Sequence, residues 1–183
     1  MSRAGIDVRG RSRRLKINYR TSEQIRQWAQ GLLEGVEVDD LDGGMADTTG
    51  DRSVFRGPDP QVVSCKSVSE SGQAVVAWIK GLLDAGLGTH EICVTPTESE
   101  VVSALESAGI PTLELKPRQK DPGQEEPGVR YGTKKRIKGL EFKAVALIHE
   151  DAGQADGIDR FANYVAATRA REHLLVVGLQ SGV

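Results

Sequence analysis

The chain lacks most of the features that give away a function early. Cysteine occurs twice in 183 residues, as Cys65 and Cys93, with no CxxC pair and no histidine cluster beside either. That argues against a disulfide framework or a thiolate metal site; each lies in a short apolar run and reads as a buried, reduced thiol. The three histidines, at 90, 149 and 173, are scattered, so no metal site is read from them either. Three Phe, three Tyr and two Trp make only eight aromatic residues, which leaves the core to Val, Leu, Ile and Ala. A formal net charge of −2 excludes a uniformly basic coat, so any nucleic-acid contact must come from a local patch. No apolar run approaches the roughly 18 residues needed to span a bilayer, and no apolar h-region follows the Arg-rich start. The chain therefore reads as soluble and cytoplasmic, with no membrane partner. Finally, the sequence contains no Gly-Lys dipeptide, hence no GxxxxGK[ST] phosphate loop. Without one, the run from Val145 to Asp151 reads as a strand ending in solvated acids.

What is present is an alternating pattern of the length of one domain. A basic opening (Arg9, Arg11, Arg13, Arg14, Lys16) leads to Ile17-Asn18-Tyr19-Arg20. The capping box Thr21-x-x-Gln24 predicts a helix with Ile25, Trp28 and Leu32 on one stripe, stopped at Gly35. Glu34 to Asp51 holds seven acidic residues and no basic one, so 34–60 reads as a mobile acidic loop. Strands are expected at 61–65, 92–95, 113–115, 129–133, 144–148 and 174–178. Helices are expected over 74–85, after a second capping box Thr97-x-x-Glu100, and over 158–170. With three prolines and two glycines, 116–128 is a loop. Such alternation predicts an α/β fold, a mostly parallel sheet with helices on both faces.

Two stretches suggest chemistry. Gly132-Thr133-Lys134-Lys135-Arg136-Ile137-Lys138-Gly139-Leu140-Glu141-Phe142 puts four cations on a strand-exit loop, a composition suited to a polyanion backbone. Glu141 breaks the pattern; a carboxylate there repels phosphate but accepts hydrogen bonds from a sugar hydroxyl. In Phe161 to Arg171 an amphipathic helix ends in Arg169 and Arg171, which also suit the helix dipole. Together they carry a resemblance. Gly132 to Phe142 resembles motif V of the UvrD/Rep-type superfamily 1 DNA helicases, and Tyr164-Val165-Ala166-Ala167-Thr168-Arg169-Ala170 resembles their motif VI. Asn18-Tyr19-Arg20-Thr21 resembles motif IV. All three stand in the family's order, and Glu91 to Val94 resembles the strand before that family's accessory region.

The resemblance implies a RecA-like three-layer sandwich over 1–183, the second of two motor domains that enclose ATP while single-stranded DNA crosses both. By resemblance, Arg20 and Arg169 are arginine fingers, Glu141 holds the ribose hydroxyl, and Gly139 and Tyr164 also border the nucleotide. Thr133, Lys134, Lys135 and Arg136 face the DNA. ATP and Mg2+ are held mainly by an N-terminal RecA-like domain of the same parent chain, so 1–183 alone is expected not to hydrolyse ATP. The sequence departs from the family in two places: Lys135 stands where His is usual, and the short loop 116–128 replaces an inserted accessory domain. That puts duplex separation, as distinct from translocation, in question. The competing readings are a RecA-like adaptor without ATP turnover and a motor working on RNA. Arg20, Glu141 and Arg169 occurring together argue against the adaptor, which needs none of them.

Overall fold

In the computed structural model, residues 17–34, 52–96, 99–150 and 157–179 are described. The basic opening up to Lys16, Gly35 with the acidic run to Asp51, Thr97 of the second capping box, and Asp151 lie outside them. Along the chain come strand β1 (Ile17–Asn18), helix α1 (Glu23–Gly31), β2 (Arg52–Ser53), β3 (Gln61–Cys65), α2 (Val68–Asp84) and β4 (Ile92–Thr95). They are followed by α3 (Ser99–Ser107), β5 (Thr112–Glu114), β6 (Val129–Tyr131), β7 (Phe142–Glu150), α4 (Gly157–Ala167) and β8 (Ala170–Leu179). Six strands form one sheet in the order β3-β8-β7-β4-β6-β5, every neighbouring pair parallel.

Strand periodicity separates two cores. On one face Ile92 and Val94 of β4, Ala144, Ala146 and Ile148 of β7, and Leu175 and Val177 of β8 pack with α2 and α3. On the other, Cys93, Val145, Leu147, Leu174 and Val176 pack with Ile25 and Ala29 of α1 and Ala166 and Ala167 of α4. The result is the three-layer α/β sandwich expected from the alternation, with helices on both faces. Each fully buried Val, Leu or Ile contributes about 1.5–3 kcal/mol of transfer free energy. Among the described residues no helix is long and apolar enough to cross a membrane. Both cysteines are free and buried, and burial pushes the thiol pKa of each up.

The boundaries correct several expectations. Helix α1 is capped by Ser22, whose hydroxyl accepts from the Ile25 N–H, and not by Thr21. Thr21 and Gln24 are taken by tertiary partners: Thr21 Oγ1 donates to the Thr168 carbonyl, and Gln24 Oε1 accepts from Gly57 N–H. Helix α2 starts six residues earlier than expected, because Ser67 accepts from Glu70 N–H and Glu70 accepts from Lys66 N–H. Strand β6 ends at Tyr131, since the Thr133 carbonyl accepts from Arg136 and Ile137 and turns the chain. Helix α4 stops at Ala167 and β8 begins at Ala170, so Arg169 lies between them and not within the helix. Of the segment expected to be mobile, 52–60 packs in place: β2 pairs in parallel with β1, and Glu23 N–H donates to the Phe55 carbonyl.

Candidate functional site

Two chain segments far apart in sequence are joined at the N-terminal edge of the sheet. The turn between β1 and α1 carries Arg20, whose backbone N–H donates to Asn18 Oδ1 at 2.8 Å. Beside Arg20, Thr21 Oγ1 reaches the Thr168 carbonyl at 3.2 Å, and Ser22 N–H donates to the Arg171 carbonyl at 2.8 Å. The α4–β8 junction is therefore fastened to the turn on both sides of Arg169. Phe142 and Ala170 are paired at the start of β7 and β8, and Phe142 N–H donates to the Arg169 carbonyl at 3.0 Å. That places Glu141, immediately before β7, at the same edge.

The side chains meet there. Arg20 Nε lies 2.8 Å from Glu141 Oε1, both groups open to solvent. The Arg169 side chain is half-buried; its Nε donates to the Val165 carbonyl at 3.0 Å and its Nη2 to Thr168 Oγ1 at 3.3 Å. Desolvation lowers the Arg169 pKa, and the neighbouring Arg20 charge lowers it further, while Glu141 and Tyr164 act in the opposite direction. Arg20 alone is paired with the carboxylate, while the Arg169 guanidinium, held by its own helix end, lies near enough to feel both charges. Two guanidiniums beside one carboxylate leave net positive charge. Tyr164 is half-buried with its ring stacked on Phe161 at a centroid distance of 6.2 Å. Gly139 has φ +92°, left-handed backbone that favours glycine, with open space around its missing Cβ. A cavity of about 380 Å3 opens beside Glu141, walled by the Glu91–Lys143 ion pair (2.7 Å), Arg171 and the loop at 121–124.

The structure puts the start of the basic stretch at the other end of the sheet, from which the chain returns to Glu141. Tyr131 is level with Val94, and Val94 with Ala146, five residues beyond Glu141 along β7. At about 3.3 Å per residue, Thr133 thus stands roughly 15–20 Å from the Arg20–Glu141 pair. Thr133 and Lys135 are exposed and Lys134 is half-buried. Buried Ile137 seats the turn in the core under α1 and α4. Arg136 is held differently from its neighbours: its Nε donates to the Lys116 carbonyl at 2.9 Å, and its Nη2 to the Gln119 carbonyl and the Asp121 carboxylate. Its guanidinium thus straps the loop 116–121 to the end of β6.

Sequence reasoning passed over Arg130, which is 3% exposed and donates to the carbonyls of Gly123, Glu126 and Gly128. A cation inside the strand expected at 129–133 was the available signal. It also passed over Ser53, which no local pattern distinguishes. Among the described residues no group of three or more His, Cys, Asp or Glu side chains is arranged to hold a metal ion.

Comparison with known proteins bears on the family resemblance and the fold. Residues 129–177 match the family described as UvrD-like helicase C-terminal domain. That span contains both the Gly132–Phe142 and the Tyr164–Ala170 stretches, so the resemblance drawn from the sequence is borne out there. The fold is similar to the C-terminal domain of a possible DNA helicase from Lactobacillus plantarum WCFS1, with a TM-score of 0.63, 20% identity and 88% of each chain covered. A weaker likeness, with a TM-score of 0.41 and 15% identity, is to an arterivirus nonstructural protein 10 (helicase), covering 78% of this chain and 38% of that one. No curated protein matches in sequence.

Proposed function

We propose that this chain, whose residues 129–177 match the UvrD-like helicase C-terminal domain, works as the second motor domain of an ATP-dependent DNA helicase or translocase. The observation that carries the reading is that the Arg20–Glu141 ion pair and the chain at Arg169, from three separate segments, come together at one end of the sheet. There Phe142 N–H donates to the Arg169 carbonyl and Thr21 Oγ1 to the Thr168 carbonyl. The net positive charge there suits a triphosphate, and Glu141 suits a ribose hydroxyl as hydrogen-bond acceptor. In this reading a first RecA-like domain, carrying the phosphate loop, the catalytic base and the Mg2+ ligands, binds ATP and presents it across a cleft. Arg20 and Arg169 then reach the γ-phosphate, where charge spreads over the oxygens during transfer. Guanidiniums supplied from across such a cleft contribute roughly 10³–10⁵ in rate.

Thr133, Lys134 and Lys135 contact the backbone of single-stranded DNA from the far end of the sheet. Separating the two binding events onto opposite ends lets cleft closure be coupled to movement along the strand. Because binding and base chemistry are assigned to the first domain, residues 1–183 alone are expected to leave ATP unhydrolysed. The test is DNA-stimulated ATP hydrolysis by the chain joined to its first domain. Arg169→Ala and Arg20→Ala should each lower kcat by two or more orders of magnitude with nucleotide still bound. Unchanged turnover in both variants would discard the motor reading and leave the adaptor reading in its place.

A further inference from the structure

The turn that carries Arg20 is only four residues long, and little of it is held from within. Asn18 Oδ1 accepts from the Arg20 N–H; the C-terminal half of the turn is tied through Thr21 and Ser22 to the α4–β8 junction, and its base depends on residues directly after the acidic run. Strand β2 lies against β1 with Asn18 paired to Ser53, and Val54 N–H donates to the Asn18 carbonyl at 3.1 Å. The Ser53 hydroxyl sits between two carbonyls at the base of the turn, Asn18 at 3.2 Å and Thr21 closer still. A hydroxyl has a single proton, so it donates to one of these carbonyls at a time, or is shared between them, while lying against both ends of the turn. The Ser53 N–H in turn donates to Glu23 Oε2 at 2.8 Å, and Glu23 also accepts from Arg26 and Gln27 on its own helix. The base of the turn is thereby locked to the first turn of α1. Further along, Gly57 is wedged against Ser22, its N–H held by Gln24.

We infer that Ser53 is a positioning residue for Arg20, and that Arg52–Gly57 is a built part of the nucleotide-facing site. The inference rests on the motor reading given above. Ser53 touches neither Arg20's guanidinium nor the place assigned to the phosphate. It sets the separation of Asn18 from Thr21, and with it the direction in which Arg20 leaves the backbone. A long side chain amplifies a small error at its root, and misplacing a reacting partner by about 1 Å costs about 10²-fold in rate. Neither hydrophobic core includes any residue from 52 to 57, so the staple can be removed with both cores intact.

The experiment is a double-mutant cycle in DNA-stimulated ATP hydrolysis, using the chain joined to its first domain. Ser53→Ala should lower kcat by tenfold or more with KM for ATP within threefold of wild type. Ser53→Thr, which keeps the hydroxyl, should restore most of it. In an Arg20→Ala background Ser53→Ala should have no further effect, because the group it positions is gone. Asn18→Ala, which removes the acceptor for the Arg20 N–H, should behave likewise, and it serves if Ser53→Ala does not fold. Equal and additive losses in the two backgrounds would reduce Ser53 to a structural residue and overturn the inference while leaving the motor reading intact. If Arg20→Ala itself leaves kcat unchanged, the assignment of Arg20 fails, and the positioning role with it.

Discussion

Glu23 illustrates how much one carboxylate can organise at the residue scale. It opens α1, where a negative charge suits the helix N-terminus, and it accepts from Arg26, Gln27 and the Ser53 N–H. These bonds, the one from Arg26 first, hold its pKa down at about 2 against an ordinary 4.5, with burial acting the other way. A carboxylate whose folded pKa is depressed stabilises the fold fully above its unfolded value. That stabilisation shrinks as pH falls from about 4.5 towards about 2. Glu23→Gln should therefore cost about 1.5–3 kcal/mol in urea unfolding at pH 7, in line with hydrogen bonds to a charged group. The difference between variant and wild type should narrow markedly by pH 3. A gap that stays constant from pH 7 to pH 3 would show that the charge itself contributes nothing.

At the scale of elements, connections here do more than link strands. Gly57 lies where an added Cβ would come within 3.0 Å of Ser22 Cβ and 3.1 Å of the Glu172 carbonyl, a backbone atom that cannot swing away. Overpacking of this kind costs about 1–3 kcal/mol, so Gly57→Ala should lower the denaturation midpoint accordingly. No change in midpoint would mean that the run from 52 to 60 yields easily. Arg136 makes a second connection, tying the loop at 116–121 to the end of β6. Arg136→Ala should raise amide hydrogen exchange by tenfold or more within 116–121 and leave β7 and β8 protected as before. Unaltered exchange in the loop would show that the strap is incidental.

These connections also mark where the sequence was legible and where it was not. The middles of β4, β7 and β8 announced themselves because a run buried on both faces is apolar throughout. Strand β3, at the sheet edge and mostly exposed, was legible only from its short β-branched run before a helix. The start of α1 was misplaced by one residue, since Thr21 and Ser22 are both good caps. The choice is made by Thr168, 147 residues away, which takes the Thr21 hydroxyl. The run 52–57 was grouped with the acidic stretch because composition speaks for a window, while the role of Ser53 depends on which carbonyls lie beside it. For the site, no spacing joins Arg20, Glu141 and Arg169; only family resemblance grouped them, and only the fold brings them to one edge.

On the scale of the whole molecule, the two ends of one parallel sheet carry opposite tasks in the proposed motor. A chain with net charge −2 has no general attraction for a polyanion, so affinity for DNA must come from the few cations at the β6 end. Lys135 is exposed there, and each phosphate contact on a single strand contributes about 0.7 to the slope of log K against log salt. Lys135→Ala should reduce that slope by about that amount and raise the DNA concentration needed for half-maximal stimulation. Turnover at saturating DNA should stay within about threefold of wild type, because Lys135 is exposed on the turn after β6 and no hydrogen bond or ion pair joins it to Arg20, Glu141 or Arg169. Arg169→Ala should do the reverse, lowering turnover while leaving the salt slope alone. Titrating both variants with an oligothymidine at several salt concentrations separates the two ends in one data set. Should Lys135→Ala depress turnover at saturating DNA and spare affinity, the assignment of DNA to that end would be wrong.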